Sequence, residues 1–200
     1  MHPGQNVPVH EYDLIAEWYA RDRSLTTGVP EVTSLVASLP SGASVLDVGC
    51  GTGMPITTTL LLAGCNVIGV DSSRRMLDHF EANCPGTPFI YGPIQSANLG
   101  GHRFDAAVAW GVIFHLEYGE QRKAIAKVAS VLKPGGLFLF TAGDQAGSKQ
   151  GKPMNGVPFR YWSFTVDGYR KLLHEFGLTL LNVQRDAGDN IYYLARKEAA

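Results

Sequence analysis

Val45-Leu-Asp-Val-Gly-Cys-Gly-Thr-Gly53 decides how this chain is read. A buried-type run enters a segment with glycine at every second position, and a helical pattern begins directly after it. The stretch therefore reads as a strand, a tight loop and a helix start. Glycines at 49, 51 and 53 strip the loop of side chains, so a ligand is expected to lie against main chain and meet amide N–H groups at the positive helix end. The commonest loop of this kind, Gly-x-Gly-x-x-Gly, needs its third glycine at position 54, where this chain has Met54. The expectation is a nucleotide-like pocket that departs from the dinucleotide pattern.

Outward from the loop, strand and helix patterns alternate. Pro55 suits a first helical turn, Leu60 to Ala63 supply an apolar stripe, and Gly64 fits a left-handed stop. Val67 to Val70 reads as a buried strand ending at Asp71, after which Ser72 or Ser73 caps a helix that turns Met76, Leu77 and Phe80 inward. Phe89 to Tyr91 and Phe104 to Trp110 are the third and fourth strands. Ile125, Val128, Ala129 and Leu132 mark a helix that stops near Pro134-Gly135-Gly136, and Leu137 to Thr141 is the fifth strand. Residues 143–163 hold Gly, Pro, Ser, Lys and Asn and then Phe159, Tyr161 and Trp162 without clean periodicity; they are expected to form a long loop on the substrate side. Thr165 caps a further helix, and Leu178 to Val183 and Ile191 to Ala195 read as two closing strands of a hairpin. Repeated strand–helix units predict an α/β doubly wound, Rossmann-like sheet of seven strands, mostly parallel, with an antiparallel C-terminal hairpin strand.

Composition narrows the function. The chain has 200 residues and 45% hydrophobic content, enough for one domain spanning 1–200, with residues 1–40 expected as a helical cap over the site. Net charge is −1 with dispersed lysines and arginines, so neither nucleic acid nor an anionic membrane is the expected partner. Cys50, Cys65 and Cys84 have no metal-ligand spacing and read as free cysteines in a reducing compartment. The stretch Met1 to His10 lacks a basic-then-apolar order and no apolar run is long enough to span a bilayer, so a cytoplasmic protein is expected. The six histidines show no His-x-x-x-His pair, and no metal is expected.

Together, Val45 to Gly53, Asp71, Phe104-Asp-Ala-Ala-Val-Ala-Trp-Gly-Val-Ile-Phe-His-Leu116 and Val131-Leu-Lys-Pro-Gly-Gly-Leu137 resemble the class I S-adenosylmethionine-dependent methyltransferases, in order and in spacing from Tyr12 to the C-terminus. The resemblance implies S-adenosylmethionine as cofactor and a small-molecule acceptor. It places Asp71, followed by Ser72, at the ribose hydroxyls; the same carboxylate would also serve NAD. It sets Gly49, Gly51, Gly53 and Asp47 at the methionine end, with the backbone of Trp110 nearby, and Met76, Ile94 and Gln95 at adenine. Pro93 stands where the family usually has an acid for the adenine amino group. Asp105 has a structural role in the family. Ala109-Trp-Gly-Val112 fills the place of the Asn-Pro-Pro-aromatic tetrapeptide of base-amino methyltransferases, and the Pro-Cys pair of cytosine C5 enzymes is absent.

His115 occupies a position often histidine in this family and is either a general base of near-neutral pKa or a packed side chain. Tyr12 and Tyr19 lie on a helix that the family drapes over its cofactor; an amphipathic helix packed for stability reads the same way. Tyr161 and Trp162, with Phe159, are lid candidates whose aromatic faces attract a sulfonium. Methyl transfer by in-line displacement needs alignment and dryness more than acid–base groups, consistent with the lack of a triad. Two rivals remain: a non-catalytic protein that binds the cofactor, and a nucleotide-dependent oxidoreductase, which Met54 disfavours.

Overall fold

The computed structural model of the chain describes residues 10–199. The first nine residues of the expected 1–40 cap lie outside them. Strands β1 (Ser44–Val48), β2 (Asn66–Asp71) and β3 (Phe89–Tyr91) step outward in one direction, and β4 (Phe104–Ala109) and β5 (Leu132–Thr141) in the other. Two more, β8 (Leu178–Arg185) and β9 (Ile191–Lys197), complete a seven-stranded sheet in the order β3-β2-β1-β4-β5-β9-β8. Only β9 runs against its neighbours, inserted between β5 and β8. The chain reverses direction between β1 and β4, and that switch opens a crevice at their carboxyl ends. Asp47 pairs in register with Gly69 on one side and Val108 on the other, and Asp71 pairs with Tyr91. Both acids thus sit at the sheet edge where ligands of such folds bind.

Strand side chains alternate between faces, so each central strand feeds two cores. Leu46, Val48, Ala107, Phe138 and Phe140 pack with helices α5 (Tyr118–Val131) and α6 (Val166–Glu175). Val45, Val67, Ala106, Val108 and Leu139 pack on the other side with α2 (Val29–Val36) and α3 (Ile56–Leu62). Each of the Val, Leu and Phe side chains contributes about 1.5–3 kcal/mol when fully buried. Ser73 caps α4 (Arg74–Asn83) by accepting from the Met76 amide, and this turns Met76, Leu77 and Phe80 inward. Thr165 caps α6 in the same way, accepting from the Gly168 amide.

Three local readings change. Helix α3 buries Ile56, Thr57 and Leu60, while Leu62, within the expected stripe, is 90% exposed; the inward face follows i, i+1 and i+4 rather than a run. Helix α5 passes into β5 at Leu132, and Pro134-Gly135-Gly136 form an irregularity inside the strand, between the pairs Phe104↔Leu132 and Ala106↔Leu137. Residues 143–163, expected as a loop, contain an antiparallel ribbon of β6 (Gly147–Gln150) and β7 (Arg160–Ser163), registered Gly147↔Ser163 to Gln150↔Arg160. Its strands are mostly polar and exposed, so pairing and the packing of Tyr161 hold it rather than an alternating pattern of its own.

Helix α1 (Glu11–Asp22) rests on α4. Asp13 Oδ1 accepts from Ser73 Oγ at 2.6 Å and from the Arg75 amide at 3.1 Å, and Glu17 meets Arg75 and His79, each at 3.3 Å. The cap is therefore latched to the start of the helix that follows Asp71.

Candidate functional site

The glycine loop spends its amides on the protein itself. Gly49 N and Cys50 N donate to Val70 O at 2.7 and 3.1 Å, Gly53 N to Cys50 O at 2.9 Å, and Gly51 N to Asp71 Oδ2 at 2.8 Å. This corrects the expectation that these three glycine amides face a ligand. Two of the glycines answer to packing: a Cβ at Gly49 would stand 2.2 Å from Val112 Cγ2, and one at Gly53 would stand 2.6 Å from Cys84 Sγ. Gly51, at φ +54°, differs, because a Cβ there would meet nothing within 4 Å. Bare main chain faces open space at that one position.

Asp71 closes the other side of this opening. Its second oxygen accepts from the Ser73 amide at 2.8 Å, so each carboxylate oxygen holds one backbone donor and keeps one lone pair. Burial raises its pKa, and the amides of Ser73 and Gly51 oppose that rise. Ser72, next in sequence, binds His10. His10 Nδ1 accepts from the Tyr12 amide, which leaves Nε2 protonated to donate to Ser72 Oγ at 3.0 Å.

Asp47 lies deeper, 2% exposed, with Thr57 Oγ1 donating to its Oδ2 at 2.5 Å. Burial raises its carboxyl to about 7; Thr57 pulls it down and the Asp71 charge pushes it up. Asp47, Gly49, Gly51, Tyr19 and Trp110 line one crevice, joined there by Arg23. The crevice measures about 20 Å³, room for a water molecule, so the cap is closed over it. Trp110 is buried over the position of Gly28 and leans on Tyr192 at 5.9 Å.

His115 sits on a short 3-10 turn, Ile113–His115, after β4. It shares a 3.0 Å hydrogen bond through Nε2 with the Tyr12 hydroxyl, and Tyr12, Phe114, Phe159 and Tyr161 surround its ring at 4.8–5.5 Å between centroids. Burial, with a smaller push from His10, lowers its pKa to about 4. Of the two readings of His115, this geometry favours the packed one: a neutral imidazole that holds Tyr12. Tyr19 closes the cluster edge-on to Tyr12 at 5.6 Å. Tyr161 belongs to this wall, but Trp162 does not. Adjacent strand residues point to opposite faces, and Trp162 instead lies under Arg160 at 6.0 Å.

At the β3 end, Met76 and Ile94 are buried, and Gln95 donates through Nε2 to Glu120 at 2.9 Å while its Oε1 is buried without a partner. Asp105 accepts from Ser44 N and Lys133 Nζ at 2.9 and 2.8 Å, far from the crevice edge, as its structural reading implies. On the far side of Phe114 and Tyr161 is a cavity of about 620 Å³, which both rings line with Thr141, Gln145, Lys149 and Asn190. It is roofed by the β6–β7 ribbon. Among the described residues no group of His, Cys, Asp and Glu is arranged to hold a metal ion.

Two residues of this site escaped the sequence reading. Thr57 lies in the helix after the loop and looks like a solvent-side threonine until the fold turns it onto Asp47. Arg23 follows α1 as one arginine among many, and no periodicity marks it.

Taken together, the switch-point crevice, the open Gly51, the acid at the end of β2 and the inserted antiparallel β9 define a Rossmann-like methyltransferase fold. Residues 45–136 match the methyltransferase domain family. The chain is 32% identical over 131 residues to the tRNA (carboxymethyluridine(34)-5-O)-methyltransferase of Arabidopsis thaliana, a match covering 65% of this chain and 31% of that one. It is 30% identical over 103 residues to an uncharacterised methyltransferase of Synechocystis, covering 52% and 48%. The chain thus spans less than half the length of these curated relatives. In fold it resembles the CcbJ methyltransferase from Streptomyces caelestis, with a TM-score of 0.78, 20% identity, and 96% and 99% of the two chains covered. In its matched residues 45–136 and in its fold the chain is similar to the class I S-adenosylmethionine-dependent methyltransferases. No helix among the described residues is long and apolar enough to cross a membrane.

Proposed function

We propose that this chain, taken as one domain over residues 1–200, transfers a methyl group from S-adenosylmethionine to a small polar molecule held under the β6–β7 ribbon. The observation that carries the cofactor half is the pairing of Gly51, bare toward open space, with Asp71, whose two oxygens each keep a free lone pair. A ribose diol fits that acceptor pair, and an amino-acid ammonium fits buried Asp47. S-adenosylmethionine supplies an electrophilic methyl on a sulfonium. Met76 and Ile94 offer apolar faces for adenine, and Gln95 Oε1 replaces the acid lost at Pro93 as acceptor for its amino group. Tyr12, Tyr19 and Tyr161 present aromatic faces that favour a cation and exclude water. His115 fixes the Tyr12 hydroxyl in this wall and, with a pKa of about 4, takes no proton at neutral pH. Binding requires α1 to lift from the crevice, which breaks the exposed contacts of Asp13 and Glu17 with Arg75 and also the Asp13–Ser73 and Tyr12–His115 hydrogen bonds.

The 620 Å³ cavity, which shares Phe114 and Tyr161 with the aromatic wall, supports a small acceptor; cavities of this size hold drug-sized molecules. Dispersed charge argues against a nucleic acid track. The relative that acts on a tRNA nucleoside supplies the competing reading. Calorimetry with S-adenosylmethionine, S-adenosylhomocysteine and NAD tests the cofactor. Release of S-adenosylhomocysteine with a panel of amine and hydroxyl metabolites tests turnover against mere binding. Tritium transfer from labelled cofactor into total tRNA, with none into the metabolites, would overturn the small-acceptor reading. Three buried, unpaired cysteines fit a reducing, cytoplasmic setting.

A further inference from the structure

Four charged side chains line the 620 Å³ cavity: Asp144, Lys149, Arg185 and Asp189. Arg185 is spent between the two acids, with Nη2 at 3.1 Å from Asp144 Oδ2 and Nη1 at 2.9 Å from Asp189 Oδ1. Lys149 has no carboxylate within ion-pair distance among the described residues. Register decides where its charge points. Lys149 pairs directly with Tyr161 across the β6–β7 ribbon, and directly paired residues share a face, with Cβ atoms about 4.5–5.5 Å apart. Gly151, two residues on and so on that same face, supports the assignment: a Cβ there would stand 2.1 Å from Tyr161 Cε2, so the ring leans over Gly151. Gln150, Arg160 and Trp162 take the opposite, outward face. The inward face thus carries an ammonium beside a phenol ring whose other neighbours are Phe114 and His115, at 5.5 and 5.0 Å between centroids. A molecule seated there meets a free positive charge at the roof and an aromatic wall toward the crevice.

We propose that Lys149 anchors an oxyanion of the methyl acceptor, so that the molecule held under the ribbon is a small acid whose nucleophile faces the Phe114–Tyr161 wall. The inference rests on the small-acceptor reading above and adds the class of acceptor. An ammonium on a flexible stem holds a carboxylate or a phosphate as a point charge, without the planar match that a guanidinium favours. Asp144 and Asp189 outnumber Arg185 by one charge, so the β8–β9 side of the cavity repels an oxyanion and leaves Lys149 as its seat. The acceptor is thereby held in one orientation.

Protein-detected NMR with S-adenosylhomocysteine bound tests the anchor, using benzoate, phenyl phosphate and neutral benzamide as probes. At low salt an acid is expected to bind about three- to fivefold tighter than benzamide, the upper range of an exposed ion pair, with amide shifts centred on Lys149, Tyr161 and Asn190. Lys149→Gln is expected to abolish the preference and Lys149→Arg to keep it. The side chain is exposed, so melting curves of both variants should match the wild type. Whichever acid binds the better names the oxyanion. In turnover with labelled S-adenosylmethionine, hydroxy and amino acids are expected to outperform their neutral amides through KM, and Lys149→Gln to remove the advantage at unchanged kcat. Equal binding of the three probes, a preference that survives Lys149→Gln, or faster turnover of the amides overturns the anchor and leaves the cofactor reading standing. So does a Lys149→Gln loss confined to total tRNA, which assigns the charge to a phosphate backbone. A chain that fails to bind S-adenosylhomocysteine overturns the cofactor reading, and the acceptor role of the cavity with it.

Discussion

Asp47→Asn separates two roles that one carboxyl plays in this fold. The side chain is 2% exposed and has a single side-chain donor, Thr57 at 2.5 Å, so folding moves its carboxyl from an ordinary 3.8 to about 7. The folded pKa is the higher of the two. Between these pH values the folded chain holds a proton that the unfolded chain has released, and stability falls as pH rises. The contribution is fully present below about pH 4 and is lost once the pH passes about 7; a gap of roughly three pH units corresponds to about 4 kcal/mol. Asparagine has the same shape and no charge at any pH. In the cofactor-free protein the variant is therefore expected to match the wild type near pH 4 and to exceed it by up to about 4 kcal/mol at pH 8, a Tm difference of roughly 8–16 °C for a chain of this size. Asp71, whose pKa is also raised, is present in both proteins, and its repulsion of ionised Asp47 is part of the gap measured. Scanning calorimetry at pH 4.5, 6 and 8 reads the gap directly. A gap that does not change with pH, or an asparagine variant that is the less stable at pH 8, refutes the reasoning. Affinity should move the other way. An ammonium ligand binds the ionised acid, so wild-type affinity for S-adenosylhomocysteine rises with pH from 6 to 8 while that of Asp47→Asn stays low and flat.

Other expectations follow from the same geometry. Asp71→Ala should weaken S-adenosylhomocysteine by about 1–3 kcal/mol, measured by calorimetry, since it removes both charged acceptors; an unchanged Kd contradicts its role. Gly49→Ala drives a methyl group to 2.2 Å from Val112 and should cost about 1–3 kcal/mol or more of stability, whereas Gly51→Ala, facing open space, should cost only about 1–2 kcal/mol of backbone strain and yet lose most cofactor affinity. Melting and binding curves that reverse this order would count against the crevice. With His115 near 4, kcat should show no inflection between pH 6 and 8 that depends on it; an inflection near 6.5 that vanishes in His115→Gln would restore it as a base. Tyr12→Phe strips His115 Nε2 of its partner and should cost about 1–3 kcal/mol in a chemical denaturation measurement.

The Val45–Gly53 stretch made the sheet and its switch point readable, because a fully buried parallel strand must be apolar and a tight strand-to-helix loop must be glycine. The same local chemistry located Asp71, the Ser73 and Thr165 caps and the terminal hairpin. It misjudged the destination of the loop amides, since donors satisfied by Val70, Cys50 and Asp71 look identical in sequence to donors awaiting a ligand. The β6–β7 ribbon also escaped, because its polar strands are held by a partner segment and not by an alternating pattern.

Periodicity and turn chemistry, which act between near neighbours along the chain, were enough to specify the alternating architecture, the glycine crossing and the acid beyond β2. The neutral state of His115, the raised pKa of Asp47, the unpaired charge of Arg23 and the division of labour between Tyr161 and Trp162 arise only when segments tens of residues apart remove one another from water. Desolvation and long-range partners set those properties, and neither is written in any local run of residues.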